Sequence, residues 1–111
     1  RLDLLKILVS QNINIELKDK HDYTPLINAI VCRNFSIINY LLEIGADIQP
    51  VNLHIKVIEK IIINNDFNIL KNLVEHHLDI NAKDEEGNTP LIYAIKNRNI
   101  EIVEYLLKMG A

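Results

Sequence analysis

Apolar residues in this chain fall into short stretches with helical spacing, separated by polar breaks. Phe35, Ile38, Leu41 and Leu42 share one helical face, and Ile102, Val103, Leu106 and Leu107 repeat the pattern. Leu8-Val9-Ser10, Leu41-Leu42-Glu43, Leu73-Val74-Glu75 and Leu106-Leu107-Lys108 follow one another at steps of 33, 32 and 33 residues. A second motif keeps the same beat: TPLINAI at Thr24–Ile30 returns as TPLIYAI at Thr89–Ile95, 65 residues on. A period near 33 marks a row of small supersecondary units rather than a globule with a buried catalytic cleft.

The polar breaks carry the boundaries. Thr24-Pro25 and Thr89-Pro90 read as helix starts, because the Thr oxygen accepts an orphan backbone N–H and Pro at the first helical position has no N–H to lose. A second helix of each pair is predicted to begin after Asn34, Asp66 or Asn99, all favoured N-cap residues in matching positions. At the far end of that helix one column holds Asn12, Gly45, His77 and Gly110. A helix commonly closes on one left-handed residue, which Gly adopts freely and Asn and His tolerate better than most. Four units therefore meet one backbone demand with three residue types.

Thr24-Pro25-Leu26 with Ala29, Thr89-Pro90-Leu91 with Ala94, Gly45-Ala46-Asp47-Ile48 and Gly110-Ala111 make the chain resemble the ankyrin-repeat family over its whole length. That family's unit is a β-turn and two antiparallel helices over about 33 residues. The resemblance implies an all-α solenoid of stacked helix-turn-helix units with β-turn or hairpin fingers, forming one ankyrin-repeat domain over residues 1–111. It divides the chain into a partial unit 1–13, a unit 14–46, a degenerate unit 47–78 and a truncated unit 79–111. Departures from the family pattern are local. Ile27 and Ile92 replace its His, so a hydrogen bond between neighbouring units is lost, and Arg33, Asn65 and Arg98 replace its Gly between the helices. In the third unit Lys56-Val57-Ile58 stands for Thr-Pro-Leu, and the preceding loop is one residue shorter and contains Pro50. That finger is expected to be irregular, with the missing cap and glycine costing about 1 kcal/mol each.

Arrays of this kind need polar outer faces on their end units. Leu2, Leu4, Leu5 and Leu8 at one end, and Ile100, Ile102, Val103 and Leu106 at the other, are as apolar as interior helices. The expectation is a fragment of a longer array; the alternative is that the ends pair with other chains.

Composition narrows the function. With 49% hydrophobic and 24% charged residues the chain is of the folded class. A net charge of −3, with twelve Lys and Arg scattered along the sequence, argues against nucleic acid as ligand. The single Cys32 allows no internal disulfide and favours an intracellular, cytoplasmic setting. Ile61-Ile62-Ile63 is halted by Asn64-Asn65-Asp66, so no membrane insertion is expected, and these residues hold no signal peptide. The bias toward Ile and Asn is what AT-rich genomes of parasites, intracellular bacteria and large DNA viruses produce.

Catalytic chemistry was sought in vain. His76 and His77 are adjacent, His21 and His54 lie in loops, and none stands at zinc-ligand spacing with a Cys or carboxylate. Cys32 has no His or Asp in a nucleophile motif, three glycines build no phosphate loop, and Lys83-Asp84-Glu85-Glu86 reads as a solvated turn. No metal, cofactor or small-molecule substrate is expected. Leu73, Asp79, Ile80 and Asn81 resemble the spacing at which some ankyrin repeats are hydroxylated on Asn; the simpler account is that Asn81 holds the loop backbone through its side chain.

The family resemblance implies a non-catalytic scaffold or adaptor that binds a partner protein through finger tips and a concave groove. The alternative is a regulatory or targeting module of a larger enzyme or channel. Groove positions would be Asn28, Val31 and Cys32, then Lys60, Ile63 and Asn64, then Tyr93, Lys96 and Asn97. Finger tips would be Lys20–Tyr23, Val51–Leu53 and Glu85–Asn88, bringing Tyr23 and Leu53 to the surface. Val31, Leu53, Ile63, Tyr23 and Tyr93 are more apolar or aromatic than solvent requires, and such residues anchor interfaces. The competing explanation is that an Ile-rich chain leaves stray apolar residues exposed.

Overall fold

A computed structural model describes residues 2–111, and among them the chain is all-α with no strand. Its helices are α1 (Leu2–Ser10), α2 (Pro25–Val31), α3 (Phe35–Glu43), α4 (Gln49–Leu53), α5 (Ile55–Ile63), α6 (Phe67–Glu75), α7 (Pro90–Lys96) and α8 (Ile100–Lys108). They form two compact units, the first ending at Asp47 and the second running Ile48–Ala111. In the first, α2 packs on α3, and Lys6 of α1 lies 5.4 Å from the Tyr40 ring centre of α3. In the second, α5 packs on α6, α7 on α8 and α5 on α7, while Phe67 meets Tyr105 edge-on with ring centres 5.4 Å apart.

Helix starts follow the sequence, with one difference of mechanism. Thr24 and Thr89 accept the backbone N–H groups of Ile27 and Ile92 at 3.4 and 3.3 Å, each with Pro in the first turn. Asn34 likewise accepts from Ile37 at 3.2 Å. Asp66 and Asn99 occupy the same position, but their side chains do not take helix N–H groups. The Asn99 amide instead donates to Asn65 Oδ1 at 3.1 Å, joining the α5–α6 and α7–α8 turns.

Helix ends share one device. Asn12, Gly45, His77 and Gly110 all have positive φ, as the column predicts. After α3, Gly45 N donates to Leu42 O (3.2 Å) and Ala46 N to Leu41 O (2.9 Å). The same pair of bonds recurs after α6, from His77 to Val74 and Leu78 to Leu73, and after α8, from Gly110 to Leu107 and Ala111 to Leu106. This is the six-to-one and five-to-two closure that satisfies the last carbonyls of a helix. The shorter turn inside each helix pair uses it as well. Arg33, Asn65 and Arg98 sit at φ 56°, 55° and 57°, where the resembled family has glycine. A residue with a Cβ is strained there by about 1–2 kcal/mol, less for Asn.

The third helix pair departs most. Its finger is a helical turn, α4, and not an irregular hairpin. Pro50 is compatible with a first turn, and Val51 is wholly buried beneath it. Asn52 Oδ1 then accepts the N–H of Asp79 at 2.8 Å, tying this segment to the next loop. With no Thr-Pro to set the start, α5 begins at Ile55, directly after His54, which makes no side-chain cap. Four aliphatics of α5 (Val57, Ile58, Ile61 and Ile62) are nonetheless buried, as are Ile69, Leu70 and Leu73 of α6.

Two fingers keep the repeat. Asp19 N donates to Tyr23 O and Asp84 N to Asn88 O, at 2.9 and 3.0 Å, with Asp22 and Gly87 at positive φ in the turn. The Asp19 carboxylate accepts from His21 N (2.8 Å), Tyr23 N (3.0 Å) and the Asn28 amide (3.1 Å). Its partner in register, Asp84, accepts from Glu86 N (2.9 Å), Asn88 N (2.8 Å), the Asn88 amide (3.2 Å) and the Tyr93 hydroxyl. The Tyr93 bond, followed by the Asn88 bonds, brings the Asp84 carboxyl down to about 2, and the same bond pushes the Tyr93 phenol up to about 12. Asp19 is held below its ordinary value by its bond from the Tyr23 amide, helped by Asn28 and His21.

Two outcomes are expected. Arg98→Gly relieves backbone strain and raises stability by about 1 kcal/mol in urea unfolding, whereas Arg98→Ala keeps the Cβ and leaves it near the parent value; a less stable Gly variant would contradict the strain account. The finger bond is pH-linked at both extremes. Asp84's folded pKa is depressed, so its contribution is complete above 3.8 and is lost as pH falls toward 2. Tyr93's is raised, so its share is complete below 10.0 and is lost as pH climbs to 12. Thermal melts of Tyr93→Phe should show a shallower acid decline and no alkaline decline from this bond; slopes equal to the parent's would refute the linkage.

Candidate functional site

Each predicted groove residue occupies α2, α5, α7 or the residue after them, and the structure sorts them by exposure. In the first unit, Val31 and Cys32 are exposed at the end of α2, while Asn28 is half-buried and committed to Asp19. Tyr23 is half-buried at the finger base, its ring 6.0 Å from that of His21. In the second unit, Lys60, Ile63 and Asn64 are exposed on α5, Ile63 by 52%. Lys96 and Asn97 are exposed at the end of α7; the Lys96 ammonium donates to Asn88 Oδ1 (3.2 Å) and the Asn97 amide to Tyr93 O (2.8 Å).

Two placements require correction. Tyr93 does not face outward: it is only 5% exposed, because its hydroxyl reaches down to the Asp84 carboxylate and its ring packs into the fold. Of the expected finger tip Val51–Leu53, Val51 is wholly buried as the anchor of α4, and only Leu53, 80% exposed, stands at the surface. Leu53 and Ile63, four and five residues' worth of helix surface around His54 and α5, are the strongly exposed aliphatics of this part of the second unit. An aliphatic side chain left that open is the kind of group whose burial by a partner is favourable, at about 1.5–3 kcal/mol when complete.

The finger carboxylates are the feature that the motif reading passed over. Lys83-Asp84-Glu85-Glu86 is more than a solvated turn, since Asp84 organises it. A signal existed: Asp19 and Asp84 are 65 residues apart, each followed nine residues later by a hydrogen-bond donor, Asn28 or Tyr93. In the same way Asp79, not the Asn81 side chain, holds its loop, its carboxylate accepting Asn81 N at 2.9 Å.

No group of three or more His, Cys, Asp or Glu side chains among the described residues is placed to hold a metal ion. His76 Nδ1 lies 2.8 Å from Asn72 O, and His77 serves the left-handed closure of α6. Among the described residues no helix is long and apolar enough to cross a membrane. What the geometry offers is shape and side-chain chemistry on short helices and stiff fingers.

Comparison with known proteins agrees with the backbone. A family model for ankyrin repeats in many copies matches residues 54–107, and one for a single ankyrin repeat matches residues 21–49. Alpha-latrocrustotoxin-Lt1a of Latrodectus tredecimguttatus is 34% identical over 116 residues, which cover 100% of this chain and 8% of the toxin. An ankyrin repeat protein of Fowlpox virus is 30% identical over 109 residues, covering 98% of this chain and 26% of its own length. An L-asparaginase of Dirofilaria immitis is 30% identical over 109 residues, covering 96% of this chain and 18% of the enzyme. The chain thus spans a small part of each of these relatives. The paired helices, their left-handed closures and both matching models lead to one conclusion: this chain belongs to the ankyrin-repeat family, whose repeats are in general protein-interaction modules and typically non-catalytic.

Proposed function

We propose that this chain is a non-catalytic scaffold that captures a partner protein on the exposed face of its first helices, with Leu53 and Ile63 as apolar anchors. The observation that carries the reading is their exposure, 80% and 52%, in a unit whose other α5 aliphatics are buried. Val31 and Cys32 hold the corresponding positions on α2, and Lys60, Asn64, Lys96 and Asn97 supply a polar surround. Interfaces are commonly built in this way, with an apolar centre and a polar rim. The chain is proposed to work inside cells as one segment of a longer repeat array, divided into units 14–46, 47–78 and 79–111 after a partial unit 1–13. Resemblance to proteins of Fowlpox virus and of Acanthamoeba polyphaga mimivirus supports a sharper form, an adaptor of viral or pathogen origin.

A second reading has its own support. The chain matches 8% of a large toxin and 18% of an L-asparaginase. A module that targets or regulates a larger protein would match in just such proportions, with any chemistry carried elsewhere.

The test is capture of proteins from cell extract on the immobilised chain, read by mass spectrometry, against Leu53→Asp with Ile63→Asp. Both residues are exposed, so circular dichroism and the melting temperature should stay near the parent's while recovery of bound protein falls at least about tenfold. Equal recovery by the parent and the double variant would remove these residues from the binding surface.

A further inference from the structure

The α7–α8 pair presents an apolar face with no cover. Ile95 is 56%, Ile100 70% and Leu107 55% exposed, and Val103 between them is half-buried. One repeat earlier, the same register positions are closed: Ile62 and Leu70, which match Ile95 and Val103, are fully buried. In the first unit the matching Ile30, Ile38 and Leu42 are buried as well. Within the second unit the cover is visible. Helix α7 lies on α5, Tyr105 of α8 meets Phe67 of α6, and Asn99 donates to Asn65. The face of α7–α8 therefore continues an interface that already exists in this molecule.

A second feature, independent of apolar burial, points the same way. Glu16 Oε2 accepts the N–H of Asp47, the residue after Ala46, at 2.9 Å. Asn81 occupies the register of Glu16, and Ala111 that of Ala46. The next position in the chain would bring a backbone N–H to Asn81 as Asp47 brings one to Glu16.

We propose that the Ile95–Ile100–Val103–Leu107 face is an interface for a further helix pair in the same register, stacked on α7–α8 as α7–α8 stacks on α5–α6, with Asn81 receiving its first backbone N–H. The occupant is a helical hairpin rather than an extended peptide, because the positions to be covered lie on two adjacent helices and their matches are covered by helices. This proposal is independent of partner capture at Leu53 and Ile63.

The experiment compares this chain with a version extended after Ala111 by a second copy of residues 79–111, which continues the register. Each is made with Ile95 and as Ile95→Glu, and unfolded in urea under circular dichroism. In the 111-residue chain Ile95 is open to solvent and Ile95→Glu should leave the folding equilibrium within about twofold of the parent. In the extended chain the same change buries an unpaired carboxylate and should lower the folding constant at least about tenfold. An equal effect of Ile95→Glu in the two chains would overturn the proposal. So would sedimentation showing that the unextended chain is a dimer dissolved by Leu107→Glu, for the occupant would then be a second copy.

Discussion

Closure of every helix on a left-handed residue is the constraint from which the rest of this structure follows. The helices are seven to nine residues long, apart from the five-residue α4, and helices that short are not stable alone in water. Each must end abruptly, satisfy its last carbonyls and send the chain back so that two apolar faces meet. The paired bonds at Gly45-Ala46, His77-Leu78 and Gly110-Ala111 do this between helix pairs. Those at Arg33-Asn34, Asn65-Asp66 and Arg98-Asn99 do it within them. Because the backbone bonds supply the closure, the side chain at the left-handed position is free to vary at a modest cost. Arg33 uses that freedom, its guanidinium lying 5.7 Å from the Phe35 ring centre.

This division explains what could be read in advance. Helix boundaries were legible wherever they rest on one or two residues acting locally, as at Thr24-Pro25, Thr89-Pro90, Asn34 and the Asn12–Gly45–His77–Gly110 column. Burial along the second helices was legible from spacing alone. Less accessible was anything decided by contacts between segments. Tyr93 reads as an outward aromatic in a helix pattern, yet a carboxylate nine residues earlier draws its hydroxyl inward. Gln49–Leu53 reads as a finger by register, yet burial of Val51 and the fixed φ of Pro50 fold it into a turn of helix. Asp66 and Asn99 keep their cap position while their side chains take up other work. The candidate binding surface was correspondingly half legible: Val31, Cys32, Lys60, Ile63, Asn64, Lys96 and Asn97 are exposed, whereas Tyr93 belongs to the scaffold that positions them.

The fingers show how a flexible segment is made stiff without a strand ladder. One carboxylate, Asp19 or Asp84, gathers two backbone N–H groups of its own turn and a donor from the helix that follows. Charge-assisted bonds of this kind are stronger than neutral ones. A long loop held by several of them presents its tip in one conformation, which reduces the ordering cost when something binds. Fixing the finger to the first helix also fixes it relative to the exposed end of that helix, where Lys96 reaches back to Asn88.

Magnitudes account for the third helix pair, which lacks most of the local signals and still folds. The missing Thr cap and glycine closure remove about 1 kcal/mol each. Against this, α5 and α6 bury seven aliphatic residues (Val57, Ile58, Ile61, Ile62, Ile69, Leu70 and Leu73), each worth about 1.5–3 kcal/mol when fully covered. Even allowing generously for conformational entropy, the packing term exceeds the two lost local ones several times over. Selection on this pair is thus strict for its buried face and lenient for its loop. A lenient loop can change shape, and here it has become α4, which hides Val51 and leaves Leu53 in the open. The unit least faithful to the repeat is therefore the one whose surface differs most from its neighbours. In a scaffold built from near-identical parts, such a difference is what gives a partner something particular to recognise.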